Sequence, residues 1–236
     1  MALVKTVFSG IMLLTLTACA GTYNSYIDTL KLAFAKAENV ELSLAEVLKA
    51  PSDLLYVQHG DRATAAMALY KVENGQHKWI SADKAMLVME QGRIVRTLGF
   101  SNDLLHLTNT AGDPIRNLKS IRPDTSWLRL ADWHGGEYGY SLRSHFEVRP
   151  AQELEFFQQT LTTTLVIEHI KYEDKANYLR FDGRWQNHFW YDSKTGTLIK
   201  SEQVLAPFWQ PITMTYISRI ARLLPPVTAQ HIGGVQ

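Results

Sequence analysis

Residue types that could carry catalysis are present, but they are not spaced as known reactive sites require. The eight histidines form no His-x-x-His or His-x-x-x-His pair, and the single cysteine offers no second thiol, so a metal site is not favoured. No Gly-x-Ser-x-Gly elbow and no glycine-rich phosphate loop occurs. Glu153 and Glu155 would lie about 7 Å apart on one strand face, which a glycosidase pair could use, although a solvated charged face is the simpler interpretation. We therefore expect no enzymatic activity, no metal and no cofactor.

Cys19 is the residue with the clearest chemical role. It ends the run Leu16-Thr17-Ala18-Cys19 and follows Lys5 and a short apolar stretch, an order that is typical of a secretory signal. The apolar stretch is shorter than the roughly 20 residues that cross a bilayer. The site resembles a bacterial lipobox, in which the cysteine is acylated and becomes the first residue of the mature protein. The sequence thus predicts a signal peptide over 1–18 and a lipid anchor on Cys19.

Two other interpretations of this segment stay open. Ala18-Cys19-Ala20 also fits the rule for ordinary secretory cleavage, which would place the cut after Ala20, and the segment could be an uncleaved anchor. Lipidation is favoured because it accounts for the lone cysteine, whose free thiol would be a liability in an oxidising compartment. Ala20 stands where an aspartate would favour the inner membrane, so resemblance to known sorting implies the outer membrane.

Aromatic residues beside polar turns are candidates for a glycan- or partner-binding surface. Aromatic faces next to amides and carboxylates stack on sugar rings, although packing in the core is the commoner use of such residues in β proteins. The candidate residues for this surface are Trp133, His134, Tyr138, Tyr140, Trp185 and Trp190.

The overall charge excludes one class of partner. Removal of residues 1–18 takes away one basic residue, Lys5, and leaves equal numbers of basic and acidic residues. Without a basic excess, nucleic acid is not an expected partner. Attachment to the membrane must then come from the acyl chains, because no polybasic segment is present. The sequence does not predict an oligomeric state.

Two helices are predicted near the start of the mature chain. Apolar residues recur at three- and four-residue steps across 22–36, which predicts an amphipathic helix. Its stripe is expected to cover the core, with a membrane-lying helix as the alternative. Ser43 and Glu46 form a capping box that predicts a short helix, Leu44–Lys49, ending before Pro51.

From residue 53 onward the pattern changes to short strands and turns. They recur about every 8 to 12 residues, as in an antiparallel meander, and Asn74-Gly75 is a strong hairpin signal. We predict a mainly β fold of coiled antiparallel sheets, either a meander or a half-barrel. The predicted strands are 54–57, 64–72, 79–80, 86–89, 94–98, 104–107, 126–133, 138–148, 160–170, 178–181, 188–191 and 197–205. Residues 212–223 fit either a strand or a helix.

We expect residues 19–224 to form one periplasmic β-rich domain. Its loop 108–125 contains Gly-Asp-Pro and Arg-Pro-Asp turns with few apolar positions, and is a candidate break between two halves of the sheet. Pro225-Pro226 ends the ordered chain, so residues 225–236 are predicted to form a flexible tail.

Two groups of motifs resemble the YjbF family, the GfcB-like lipoproteins of group-four capsule and exopolysaccharide clusters. The first group comprises Trp79-Ile80-Ser81-Ala82-Asp83, the segment 92–99 (GRIVRTLG) and Asn102-Asp103-Leu104. The second comprises the segment 185–192 (WQNHFWYD), Gly196 and Ser201-Glu202-Gln203. Together with the lipobox, this resemblance spans nearly the whole chain.

The resemblance implies an outer-membrane lipoprotein of Gram-negative bacteria that faces the periplasm and is encoded with capsule or exopolysaccharide export genes. It implies no catalytic residue, and we expect Arg93, Arg96 and Trp79 to be structural. The expected role is that of an accessory protein that contacts an export protein or the polysaccharide. One alternative is a carbohydrate-active enzyme that modifies the polymer. Another is a lipid- or lipoprotein-binding carrier, which would need a continuous apolar cavity.

Overall fold

The computed structural model describes residues 39–173 and 183–225. Their twelve strands form one antiparallel sheet. Cys19, the predicted helix over 22–36, the predicted strand over 178–181 and nearly all of the predicted tail lie outside these residues. The strands are β1 Leu54–His59, β2 Ala65–Glu73, β3 Gln76–Ser81, β4 Met86–Glu90, β5 Arg93–Leu98, β6 Leu104–Leu107, β7 Ser126–Trp133, β8 Glu137–Phe156, β9 Gln159–Tyr172, β10 Arg184–Asp192, β11 Leu198–Gln203 and β12 Ile212–Thr215. The predicted mainly β, coiled antiparallel fold is confirmed.

The sheet curls until its two outer strands nearly meet. Its order is β5-β4-β3-β2-β1-β12-β11-β10-β9-β8-β7-β6, so the outer strands β5 and β6 are neighbours in the chain. The Leu104 N–H donates to Thr97 Oγ1 at 2.9 Å, and that hydroxyl donates to Asp103 Oδ1 at 2.8 Å. These side-chain bonds join the two edges where no strand ladder is formed, and the result is a nearly closed, barrel-like sheet.

Two short α-helices among the described residues cover the outside of the sheet. The helix α1, Leu44–Lys49, has the predicted bounds and the predicted capping box, with Ser43 and Glu46 bonded reciprocally. The helix α2, Ile217–Leu223, directly follows β12, so the segment that fitted a strand or a helix contains both. Phe157, at the tip of the long β8–β9 hairpin, packs against the apolar side chains of both helices. Neither helix is long and apolar enough to cross a bilayer.

Two of the differences between prediction and structure have identifiable physical reasons. The strand predicted to end at Val148 continues to Phe156, because a register shift after Arg149 accommodates Pro150 and places Ala151 at a φ of 58°. Such a bulge removes the ladder bond that proline cannot make. The loop 108–125 contains three short 3-10 helices, and the sheet continues without a break from β6 to β7 around it.

Consecutive connections lie at opposite ends of the sheet, because all neighbouring strands are antiparallel. We call the upper end the one formed by the connections 60–64, 99–103, 134–136 and 204–211. The lower end is formed by the connections 91–92, 108–125 and 193–197.

Candidate functional site

A cluster of charged side chains lies inside the sheet, centred on Glu168. This residue points inward from β9 and is 0% exposed. Arg93 Nη1 lies 2.5 Å from Glu168 Oε2, and Arg129 Nη2 lies 3.1 Å from Glu168 Oε1. Arg93 Nε also donates to Asp113 Oδ2 at 2.8 Å. The cluster therefore contains two cations and two anions, which offset one another inside the core.

Aromatic rings enclose the two guanidinium groups. The Arg93 Cζ lies 4.9 Å from the centroid of Trp127 and 4.8 Å from that of Phe189. The Arg129 Cζ lies 4.1 Å from the Trp127 centroid. Cation–π contacts of this kind stabilise a desolvated cation. Arg93 is thus structural, as expected, and so is Trp79, which is fully buried. Arg96 is exposed on the outer face.

The pKa values of the cluster follow from burial and charge together. Burial alone would raise the pKa of Glu168, but Arg93, Arg129 and the Ser144 hydroxyl lower it to about 2. Burial lowers the pKa of Arg129 to about 10. Both groups are therefore charged at neutral pH.

Residues from the two motif groups meet beside this cluster. Asn187 Nδ2 donates to Glu168 Oε2 at 3.0 Å, while Asn187 Oδ1 accepts from the Val204 N–H at 2.7 Å. Gln203 Nε2 donates to the Gly92 carbonyl at 2.7 Å, and Gln203 Oε1 accepts from the Ile94 N–H at 3.1 Å. These amides connect β10 and β11 to β9 and β5 through the interior. Their role is to satisfy buried polar groups across the sheet.

Within residues 39–173 and 183–225, the space beside these charges is too small for a substrate. The cavity that touches Arg93, Arg129, Asn187 and Gln203 has a volume of about 20 Å³, enough for about one water molecule. The remainder of the interior is filled by a continuous cluster of buried apolar side chains. Among the described residues the interior is packed with side chains, which disfavours the lipid-carrier alternative, since a carrier needs a continuous apolar cavity.

Three of the six candidate surface residues belong to a series of aromatic rings at the upper end. Neighbouring ring centroids lie 5.4 Å apart for Trp133–Tyr140, 5.8 Å for Tyr140–Tyr172 and 5.6 Å for Tyr172–Trp185. Trp209 continues the series at 6.3 Å from Trp133. Trp133 is only 3% exposed. These rings close the upper end of the core, so Trp133 itself offers almost no surface.

The other three candidates do not form one site. His134 and Tyr138 are exposed on the β7–β8 connection and at the start of β8. Trp190 lies on the outer face of β10, stacked on His188 and with Lys200 Nζ 5.0 Å from its ring. Glu153 and Glu155, the carboxylate pair considered as a glycosidase site, are exposed on β8. None of the described residues forms a group of histidine, cysteine and acidic side chains suited to a metal ion.

A cleft of about 850 Å³ lies at the lower end of the sheet and was missed by sequence reasoning. Buried Tyr191, Ile115 and Leu198 contribute apolar surface to it. Its remaining lining comes from the loop 108–125, the turn 193–197 and α2. The basic residues among the lining are Arg116, Lys119, Lys194 and Arg219, and the hydroxyl-bearing ones include Thr164, Ser193, Thr195 and Thr197.

The cleft carries an excess of positive charge. Lys119 and Lys194 make no ion pair with any residue in 39–173 or 183–225, and Arg116 lies 3.4 Å from Glu90 at the edge. The acidic residue that lines the cleft is Asp192, whose Oδ2 accepts from the Thr195 N–H at 2.8 Å and from its hydroxyl at 2.7 Å. One carboxylate against four basic side chains leaves the lining of the cleft with a net positive charge.

No short sequence motif predicts this cleft, because folding brings its lining residues together from distant parts of the chain. Lys119 and Lys194 are 75 residues apart in the sequence, on connections between different strand pairs. The whole chain has a formal net charge of +1, so composition also gives no signal. Only the strand order shows that the loops 108–125 and 193–197 lie at the same end of the sheet.

The fold and site define a nearly closed antiparallel β-sheet protein with buried ion pairs in its core and an open, cationic cleft at its lower end. Comparison with known proteins then gives the family. Residues 27–217 match the model described as "Group 4 capsule polysaccharide lipoprotein gfcB, YjbF". The chain belongs to this family.

Relatives in Escherichia coli (strain K12) extend this result. The uncharacterized lipoprotein GfcB is 27% identical over 209 residues, covering 88% of this chain and 95% of the relative. The uncharacterized lipoprotein YjbF is 28% identical over 214 residues, covering 86% and 93%. The crystal structure of the hypothetical lipoprotein YmcC superposes with a TM-score of 0.68 at 27% identity, covering 81% of this chain and 94% of that one. The predicted resemblance is confirmed, and with it a lipoprotein family linked to group 4 capsule polysaccharide.

Proposed function

We propose that the protein is a non-enzymatic accessory lipoprotein in the assembly or export of a capsule or exopolysaccharide. Acylated Cys19 holds it at the outer membrane, and the sheet domain faces the periplasm. There it binds acidic segments of the polymer in the lower cleft. The observation that carries this proposal is the set of four basic side chains around one open cleft in a chain of nearly balanced charge.

The chemistry of the cleft suits an acidic glycan better than a neutral one. Lysine and arginine side chains pair with carboxylate and phosphate groups through charge-assisted hydrogen bonds. The Thr164 and Ser193 hydroxyls, 3.1 Å apart, add the neutral donors and acceptors that sugar hydroxyls require. A volume of about 850 Å³ lies within the usual range of ligand sites.

The alternatives are weaker on the same grounds. The buried acids Glu168 and Asp113 have no access to a substrate, which counts against a carbohydrate-active enzyme that would use them. An export protein remains the alternative partner, because a basic cleft also fits an acidic protein segment.

A binding experiment separates these possibilities. A Cys19→Ala domain is titrated with the cognate acidic polymer and, in parallel, with a neutral glucan. We expect binding to the acidic polymer alone, and a loss of at least tenfold in affinity for the Lys119→Glu/Lys194→Glu double variant. The matched control is Arg62→Glu/Lys84→Glu, which makes the same charge change at exposed positions outside the cleft. Equal losses in both double variants, or no binding by the parent domain, would contradict the proposal.

The same samples test for catalysis. We expect the chain length and substitution of the polymer to be unchanged after long incubation. Shortening of the polymer would instead support the enzyme alternative. In cells, we expect deletion of the gene to change the amount or size of secreted polymer, and the Lys119→Glu/Lys194→Glu variant to restore it only in part.

A further inference from the structure

The upper end of the sheet presents two large apolar side chains to solvent. Phe208 is 82% exposed and Tyr138 is 65% exposed, the two highest values among the exposed large hydrophobic residues of segments 39–173 and 183–225. Phe208 is on the connection 204–211 and Tyr138 is at the start of β8, so both lie at the upper end, away from the basic cleft. A single exposed apolar residue is ordinary, but two of this exposure at one end of a domain indicate a contact surface.

The backbone holds Phe208 outward. The Trp209 N–H donates to the Ala206 carbonyl at 3.2 Å, with Pro207 and Phe208 at the centre of the turn. Phe208 has a φ of 66°, a value that this turn position usually reserves for glycine. The Trp209 ring packs on Trp133, which fixes the turn to the core. The large apolar side chain of Phe208 is thus exposed to solvent. Its backbone has a conformation that glycine would adopt more easily.

The chain also enters the described domain at this end. Asn39 Oδ1 accepts from the Thr64 N–H at 2.9 Å, and the Val40 N–H donates to the Thr64 carbonyl at 3.0 Å. The turn that contains Thr64 is next to the Phe208 loop, since the Gly60 N–H donates to the Pro211 carbonyl at 2.9 Å. Residues 20–38 connect Cys19 to this point and can span at most about 70 Å when extended.

We infer that the upper end rests on the phospholipid bilayer, with Phe208 inserted among the acyl chains and Tyr138 at the interface. This inference rests on the proposed acylation of Cys19, which places the start of the chain in the same membrane. Aromatic side chains favour the membrane–water interface, where an apolar ring leaves water. Acyl chains supply the affinity, so the role of Phe208 is to fix which end of the domain faces the lipid.

This orientation has a consequence for the proposed glycan site. The lower cleft lies at the opposite end of the strands from Phe208, so it points away from the bilayer into the periplasm. A polymer could then reach Lys119 and Lys194 without passing between the domain and the membrane.

The test uses the acylated protein in vesicles of phosphatidylethanolamine and phosphatidylglycerol. Acylation blocks the thiol of Cys19, the single cysteine of the chain, so an introduced cysteine can be labelled alone with an environment-sensitive fluorophore. We expect the label on Phe208→Cys to shift to the blue and to be quenched by brominated acyl chains. The label on Lys194→Cys at the lower end should behave as it does in solution. Equal behaviour of the two labels, or a solvent-exposed label at position 208, would overturn the inference.

A second format separates this inference from the proposed anchor. The Cys19→Ala domain carries an N-terminal histidine tag and is tethered to nickel-chelating lipids, while intact mass measures acylation of the parent protein. Insertion of the label at position 208 on tethered vesicles would support the bilayer contact even if Cys19 proved unmodified. If the parent protein is acylated but the label at position 208 inserts in neither format, the lipid anchor is supported and the bilayer contact of Phe208 is contradicted.

The variant Phe208→Gly tests whether Phe208 sets the orientation of the domain on the bilayer. Glycine adopts a positive φ without strain, so the fold should be kept while the inserted ring is lost. A label on Tyr138→Cys should then lose most of its quenching by brominated lipids in the Phe208→Gly background. Unchanged quenching would mean that Phe208 does not orient the domain.

Discussion

Arg93 on β5 donates to Glu168 on β9 across the interior of the sheet, with 2.5 Å between Nη1 and Oε2. The two residues are 75 positions apart in the chain and come from strands that are not neighbours in the sheet. Their contact therefore ties opposite walls of the curled sheet to each other. A buried ion pair adds little net stability compared with apolar packing, but the loss of one partner leaves an uncompensated buried charge.

Replacement of Arg93 by methionine should destabilise the fold strongly. The change leaves Glu168 with one fewer cation and removes the ion-pair partner of Asp113. We expect the free energy of unfolding to fall by about 3 to 5 kcal/mol, measured by urea denaturation of the Cys19→Ala domain. The control is Arg143→Met, which breaks the exposed pair with Glu173 and should have little effect, because exposed pairs are screened by solvent. Similar losses in both variants would contradict the structural role of the buried cluster.

The stability of the protein should depend on pH through Glu168. The pKa of this group is about 2 in the fold, against an ordinary value of 4.5. A lowered pKa means that the charged form stabilises the fold above pH 4.5, and that this contribution is lost as the pH falls from 4.5 towards 2. It amounts to on the order of 3 kcal/mol.

The difference between the parent and Glu168→Gln isolates this contribution from the other acids. Denaturation curves collected from pH 7 to pH 2 should show the variant less stable at pH 7, with the gap closing below pH 4.5. A gap that is constant with pH would mean that protonation of Glu168 is not responsible.

Local sequence signals predicted most of the strands, because turn residues and hydrophobic alternation act over a few positions. The capping box of Ser43 and Glu46 gave the start of α1 and Pro51 gave its end, while Asn74-Gly75 lies at the β2–β3 turn. The continuation of β8 past Pro150 was not predictable, because a bulge depends on the partner strand β9.

The interior cluster and the cleft could not be predicted from the same signals. No sequence motif singled out Glu168, and its buried position depends on which face of β9 turns inward. The loop 108–125 was read as a candidate break because few of its residues are apolar. In the fold, Asp113 pairs with Arg93, and Ile115 and Ile121 are buried in the core, so these few residues hold the loop against the sheet.

Gly92 and Gly75 form a matched pair for testing the packing at the β4–β5 turn. Both have a positive φ, of 91° and 78°, so alanine strains the backbone at each position. A Cβ at Gly92 would lie 2.1 Å from Leu198 Cδ2, whereas nothing lies within 4 Å of one at Gly75. We expect Gly92→Ala to be less stable than Gly75→Ala by about 1 to 3 kcal/mol, the usual range for overpacking. Equal thermal and urea stability of the two variants would refute the close approach.

Cys19→Ala should release the domain from membranes and leave its fold intact. The described sheet and both described helices lie at residue 39 or later, so none of these elements includes Cys19. Fractionation should move the protein from the membrane to the soluble periplasmic fraction, with an unchanged circular dichroism spectrum and melting temperature. If the variant stayed firmly membrane-bound, the uncleaved-anchor interpretation of the first 20 residues would be correct.

Binding of an acidic polymer in the cleft should weaken as salt is added. Lys119 and Lys194 are exposed and unpaired within the described residues, so their attraction for a polyanion is screened over a Debye length of about 10 Å at 0.1 M salt. Affinity measured between 0.05 M and 0.5 M sodium chloride should fall steadily for the parent domain. Removal of the two charges by Lys119→Gln/Lys194→Gln should flatten this dependence, whereas the same change at Arg62 and Lys84 should leave its slope as it is. A salt dependence that is the same in all three proteins would mean that the polymer binds outside the cleft, because only charges close to the ligand contribute to the slope.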